Sequence, residues 1–414
     1  MEELKIKGAK AKEASVILGV KTEKEKNDLL KLIAQRLVEN TEYILAENFK
    51  DIENGKNNNM SEGLLDRLRL TDTRIKDIAE GVRQISSLPD PIGEIIEEFS
   101  RPNGLEIKKV RVPLGVIGII YEARPNVTAD AFALCLKSGN AVILRGGKEA
   151  INSNKALVSV MQKAIADMNF PEGTLSLVEN TDRESAKALM TLNEYLDVII
   201  PRGGAGLIRS VVENATVPAI QTGTGNCHIY VDKTADIEMA KNIIINAKTS
   251  RPSVCNAEEK LLIHKDIAKD FLPVIIPALT KKDVEILGDE NVCNIYNEIK
   301  QATDEEWYEE FLSLKIGIKI VDSTEEAISH INKYGSLHSE AIVTNSQEDA
   351  DKFLKEVDAA AVYVNASTRF TDGFEFGFGG EIGISTQKLH ARGPMGLREL
   401  TSTKYRIYGN GQIR

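Results

Sequence analysis

The chain has 414 residues, 42% of them hydrophobic and 28% charged, with a formal net charge of -10. That length predicts two or three domains. The acidic balance excludes general affinity for nucleic acid or anionic membranes while leaving room for a local basic pocket. Four cysteines at wide spacing give neither a disulfide framework nor a zinc pattern, and the five histidines include no HExxH pair, so no metal is expected. No apolar h-region opens the chain and no apolar run approaches membrane-spanning length, so a cytoplasmic protein with reduced thiols is expected.

The first hundred residues read as helical, with Leu29, Leu30, Ile33 and Leu37 at helical spacing, then Leu64, Leu65 and Leu68, then Ile75, Ile78 and Val82. Val110 to Val112 and Val116 to Tyr121 read as strands joined by Pro113-Leu-Gly115. A regular alternation follows. Val127 to Lys137 is a helix, Ala141 to Leu144 a strand, Asn152 to Met168 a helix, Leu175 to Val178 a strand, Ser185 to Leu192 a helix and Val198 to Ile200 a strand. It resumes with strands at His228 to Val231, Leu261 to His264, Ile318 to Val321, Ala341 to Val343 and Ala361 to Val364, with helices between them. Short apolar strands separated by helices are the mark of a parallel sheet covered on both faces, so the fold class is α/β. A last extended segment, Lys404 to Tyr408, needs a neighbour, either Leu105 to Val112 or another subunit.

Cys255 stands in Ser250-Arg-Pro-Ser-Val-Cys-Asn-Ala-Glu-Glu259, a polar turn ahead of an apolar strand, where a thiol can reach a substrate. Arg251 is close in sequence, and a nearby cation raises the thiolate fraction. Most free cysteines are small buried hydrophobes; Cys135 sits in an apolar run of that kind, Cys227 at the start of an expected strand and Cys293 in a polar stretch. Gly204-Ala-Gly206 fails as a dinucleotide fingerprint, because Arg209 stands where a third glycine would fall and no acidic residue follows at the usual distance. As a glycine turn opening a helix it can still hold phosphate. Arg145-Gly-Gly-Lys148 places two cations at a strand end; both segments also read as plain strand-to-helix turns. Asn126, in Tyr121-Glu-Ala-Arg-Pro-Asn126, either donates to an oxyanion or caps the helix that follows.

Taken together, these segments resemble the aldehyde dehydrogenase superfamily and, within it, the gamma-glutamyl phosphate reductase family. The resemblance is carried by Arg124-Pro-Asn126, Arg145-Gly-Gly-Lys148, Pro201-Arg-Gly-Gly204, Ser250 to Asn256, Tyr334-Gly-Ser336, His338-Ser-Glu340, Val362 to Gly373 and Ser385 to Gly396. It implies two parallel-sheet α/β domains plus a small β flap. Residues 1–100 and 115–230, with part of 365–385, would bind the cofactor; 231–364 would be catalytic; 101–114 and 386–414 would be oligomerisation strands. It also implies Cys255 as nucleophile and Asn126 as oxyanion-hole amide. Arg145, Lys148, Gly203, Gly204 and Glu310 would hold the cofactor, with the Lys148 cation suiting the 2′-phosphate of NADPH. Arg124, Arg251, His338 and Arg369, with Arg392, would bind substrate.

The implied reaction is reduction of L-glutamyl 5-phosphate to L-glutamate 5-semialdehyde with release of phosphate, the second step of proline biosynthesis from glutamate, in a homo-oligomer. One departure bears on it. Gln221 stands where hydrolytic relatives carry the glutamate that activates water, and a neutral amide cannot take that proton. A thioester exchanged with coenzyme A, or a catalytically silent protein of the same fold, are the alternatives.

Overall fold

The computed structural model describes residues 2–414. The chain divides into two compact units: everything up to Thr222 with Gly377–Gly383 and Met395–Arg414, and Gly223–Phe376 with Ile384–Pro394.

The first unit opens with helices Glu2–Leu18, Glu23–Glu39, Thr41–Asn57, Glu62–Leu68 and Asp72–Ser87. Thr22 and Glu25 form a reciprocal capping box at the second helix, and Leu29, Leu30, Ile33 and Leu37 are its buried stripe. A four-stranded parallel sheet follows, in the order Leu175–Leu177, Ala141–Arg145, Val116–Tyr121, Val198–Arg202. Val116–Tyr121 is buried along its whole length, as a strand covered on both faces must be. The strand order reverses beside Val116–Tyr121, and in open α/β sheets ligands bind outside the carboxyl ends of the strands at such a point.

One buried carboxylate fixes the turn after Ala141–Arg145. Asp51 accepts from the backbone N–H and side chain of Asn152 at 3.2 and 2.8 Å, and from the N–H and hydroxyl of Ser153 at 2.7 and 2.6 Å. It thereby satisfies the first amides of the helix Ile151–Asp167.

The terminal strand Thr401–Tyr408 finds its neighbour within the chain: it pairs antiparallel with Glu106–Pro113, Lys404 opposite Val110. A third strand, Ile95–Ser100, which the periodicity does not reveal, pairs with the other edge of Glu106–Pro113. Its residues are all exposed, so no alternation of buried and polar positions marks it.

The second unit holds a seven-stranded parallel sheet in the order Lys300–Gln301, Glu285–Gly288, Lys315–Val321, Glu258–His264, Cys227–Val231, Ser339–Val343, Ala361–Val364. Helices Ile237–Thr249 and Lys265–Thr280 bury Ile244, Phe271, Leu272 and Ile275 in one apolar cluster. Thr324–Tyr334 and Gln347–Glu356 contribute Ala327, Ile331 and Phe353 to another.

The unit boundary corrects the sequence expectation in two places. Residues 223–230 belong to the second unit, because Cys227–Val231 is an inner strand bonded to Glu258–His264 and Ser339–Val343. Residues 386–394 also fold there, in a short pairing of Ile384–Ser385 with Gly393–Pro394, and not with the terminal strand.

Replacing Asp51 by Ala should leave those buried donors unpaired and cost about 2–4 kcal/mol. A drop in the urea midpoint with an unchanged slope would report it.

Candidate active site

Cys255 lies in the turn between the helix Ile237–Thr249 and the strand Glu258–His264, at the amino edge of the second sheet, and is half-buried. The other three cysteines are held as thiols. Burial pushes up the pKa of Cys135, of Cys293, and of Cys227, where the charge of Glu340 adds to the effect.

The segment leading into the neighbouring strand supplies a seat for the backbone of Cys255. Gly225 lies so close that a Cβ there would collide with the carbonyl oxygen and Cα of Cys255. Cys227 Sγ donates to the same carbonyl at 3.1 Å. Glu310 fixes this seat by accepting the Gly225 N–H at 2.6 Å, and burial raises its carboxyl pKa. Asn256 anchors the other side, its amide donating to the carbonyls of Arg369 and Thr371 at 3.2 and 2.9 Å.

Arg369 closes over the turn, donating from Nε to Ser250 Oγ at 3.2 Å and from Nη1 to Asn256 Oδ1. Burial lowers its pKa, the charge of Arg251 lowers it further, and that of Asp372 opposes them. Two guanidiniums therefore stand within electrostatic reach of one another at the Cys255 loop, a setting that favours thiolate.

His338 immediately precedes the strand Ser339–Val343. It is 0% exposed, with Nδ1 at 2.8 Å from Ser339 Oγ and 3.8 Å from Cys227 Sγ, and burial lowers its pKa to about 4. It is a neutral imidazole packed behind the second thiol. Arg392 is also committed elsewhere, paired with Asp358 at 2.6 Å.

In the first unit, Asn126 begins the helix Asn126–Lys137, with Pro125 in the capping position, so it is not the cap. Its exposed amide donates to Asp130 Oδ2 at 3.1 Å. Burial raises the Asp130 pKa to about 6, opposed by that hydrogen bond and by the Arg202 charge.

The carboxyl ends of Val116–Tyr121 and Ala141–Arg145 open into a cavity of about 800 Å³ lined by Glu122, Ala123, Arg124, Lys148 and Glu149, and from the helical side by Met60, Leu64 and Arg67. Arg145 is largely spoken for: Nη2 donates to the carbonyls of Thr181 and Asp182 at 2.7 and 2.8 Å, while its buried Nε has no partner. The amide of Gly204 is not open to phosphate, because Glu122 Oε2 accepts it at 3.0 Å. A Cβ on Gly203 would lie 2.6 Å from the same carboxyl carbon.

The aldehyde dehydrogenase family model matches residues 2–294. The chain belongs to the aldehyde dehydrogenase family. It is 64% identical over 414 residues to a gamma-glutamyl phosphate reductase of Clostridium botulinum, covering 100% of both chains. It is 60% identical over 418 residues to one of Caldicellulosiruptor bescii, again covering both completely. The crystal structure of the Thermotoga maritima gamma-glutamyl phosphate reductase superposes with a TM-score of 0.98 at 51% identity, covering 100% of each chain.

Aldehyde dehydrogenases use a nicotinamide cofactor, and the residues of the first unit fit one. An apolar wall and three cations, Arg67, Arg124 and Lys148, line a strand-end cavity together with Glu122 and Glu149. Glu122, Arg67 and Cys227 escaped sequence reasoning. Only the dense run Gly-Thr-Gly-Asn-Cys from 223 to 227 hints at the last, since small residues mark a close approach of backbone. Gly225→Ala should displace the nucleophile's turn, so that Cys255 alkylation by iodoacetamide slows by about tenfold or more. Normal alkylation in a variant of wild-type melting temperature would dismiss the seat.

Proposed function

We propose that the chain is an NADPH-dependent, cytoplasmic enzyme that reduces L-glutamyl 5-phosphate to L-glutamate 5-semialdehyde and releases phosphate, the second step of proline biosynthesis from glutamate. The observation that carries the reading is the half-exposed Cys255 turn, flanked by Arg251 and Arg369 and seated on Gly225. Full-length identity of 64% with a gamma-glutamyl phosphate reductase supports this choice of substrate.

In the proposed mechanism Cys255 thiolate attacks the acyl-phosphate carbonyl, forming a carbon–sulfur bond and placing negative charge on the oxygen. The backbone N–H of Cys255 and, by family resemblance, the Asn126 amide donate to that oxygen. The seat on Gly225 and Cys227 matters because it fixes the peptide plane of the nucleophile. Collapse expels phosphate and leaves a thioester; Arg251 and Arg369 are the cations assigned to the departing dianion. NADPH, when bound, supplies the hydride that reduces this carbon. Collapse of the resulting thiohemiacetal returns the thiolate and frees the aldehyde. In reverse, Gln221 cannot activate water, so the thioester survives until phosphate takes the acyl group.

The exposed face of the three-stranded sheet that carries Phe99, Tyr405 and Ile407 is the surface assigned to a homo-oligomer.

Cys255→Ala should lower phosphate-dependent NADP reduction by glutamate 5-semialdehyde more than about a thousandfold while leaving NADPH affinity unchanged. Coenzyme A serving in place of phosphate as acyl acceptor would instead favour the coenzyme A reading. Asp130 holds the Asn126 amide best when ionised, above about pH 6. The ratio of wild-type to Asp130→Asn turnover should therefore fall toward one as pH drops below that value, and a ratio independent of pH would remove Asp130 from the mechanism.

A further inference from the structure

We propose that Arg67, on the short helix Glu62–Leu68, is the partner of Lys148 in a two-cation subsite for the 2′-phosphate of the reduced cofactor. The inference rests on the reading of NADPH as cofactor and adds to it a residue from an element outside the α/β sheet.

Arg67 and Lys148 are 81 positions apart (148 − 67) yet line one cavity of about 800 Å³. Two local interactions fix their spacing. Leu68, next to Arg67, packs with Ile52 and Ala150, two residues beyond Lys148, in a buried apolar cluster with Met60 against it. Asn48 then ties the same two segments by donating to the carbonyl of Leu68 and to Ser153 Oγ, both at 2.9 Å. The helix carrying Arg67 and the turn carrying Lys148 therefore share one small core, and their charges face the cavity from a rigid frame.

The charge bookkeeping of the cavity favours an anion. Glu122 is engaged by the Gly204 amide, and the charge of Glu149 acts on Arg145. By contrast, no hydrogen bond or ion pair in the described residues involves the side chain of Arg67 or Lys148. Three other arginines of the helical segment are paired, Arg36 with Asp167, Arg74 with Asp66 and Arg83 with Glu80, while Arg69, like Arg67, has no side-chain partner among the described residues but does not line the cavity. Two unpaired cations of different shape meet a phosphate dianion well, since the guanidinium offers a planar fork and the ammonium a point charge. A cofactor lacking that phosphate gains nothing from them.

The test is a titration of NADPH and of NADH, followed by nicotinamide fluorescence without substrate, on wild type, Arg67→Ala, Lys148→Ala and the double variant. Loss of one charge-assisted hydrogen bond should raise the Kd for NADPH about tenfold in Arg67→Ala and leave that for NADH within about twofold. The double variant should lose less than the product of the single losses, because both residues serve one phosphate. If wild type prefers NADPH but Arg67→Ala weakens both cofactors alike or neither, the subsite is overturned and the cofactor reading stands. If wild type binds NADH as tightly as NADPH, the cofactor reading itself fails. Arg67 is exposed, so an unchanged melting temperature is expected for its variant.

Discussion

The seating of Gly225 against the carbonyl of Cys255 is the constraint on which the geometry of the Cys255 turn depends. No side chain fits between the two backbones. The segment that provides the seat is pinned by several hydrogen bonds. Gly225 N–H goes to Glu310, Asn226 N–H to Ser336 Oγ, and the Asn226 amide to the carbonyls of Trp307 and Tyr334. Lys260, inside the central strand, donates to Asn226 Oδ1 at 2.9 Å and to the carbonyl of Glu309 at 2.8 Å, with Phe311 beneath its ammonium. Burying a lysine there is costly. Its hydrogen bonds and its position explain why the chain retains it.

Burial also sorts the titratable groups. Glu340, His228 and Lys260 form a row across the second sheet, opposite one another in register. Burial raises the pKa of Glu340 and lowers those of His228 and Lys260, so each is driven toward its neutral form. The same desolvation keeps Cys227 protonated and therefore able to donate. Charge is left to the turn, where Arg251 and Arg369 flank the one half-exposed thiol assigned chemistry. The interior is a frame of hydrogen bonds, and the reactive electrostatics lie at its rim.

Each unit places its chemistry at one edge of its parallel sheet, and the edges differ. The first unit uses carboxyl ends: Glu122 and Arg124 follow Val116–Tyr121, and Lys148 follows Ala141–Arg145, where they line the cavity. The second uses amino ends, where Cys227, Cys255 and His338 open or precede adjacent strands. Parallel strands in register bring their starts together, so residues far apart in sequence become neighbours without any local motif.

That distinction separates what was legible in the chain from what was not. The α/β class, the positions of most helices and strands, and the turn bearing Cys255 follow from apolar periodicity and from glycine and proline punctuation, which are local properties of the sequence. Ile95–Ser100 escaped because an edge strand exposed on every residue carries no alternation. The role of Cys227, the burial of His338, the capture of the Gly204 amide by Glu122 and the meeting of Arg67 with Lys148 were decided by tertiary structure alone. Each depends on which strands adjoin and in what register, or on which helix packs across a sheet edge. Those are contacts between distant residues, and no local pattern encodes them.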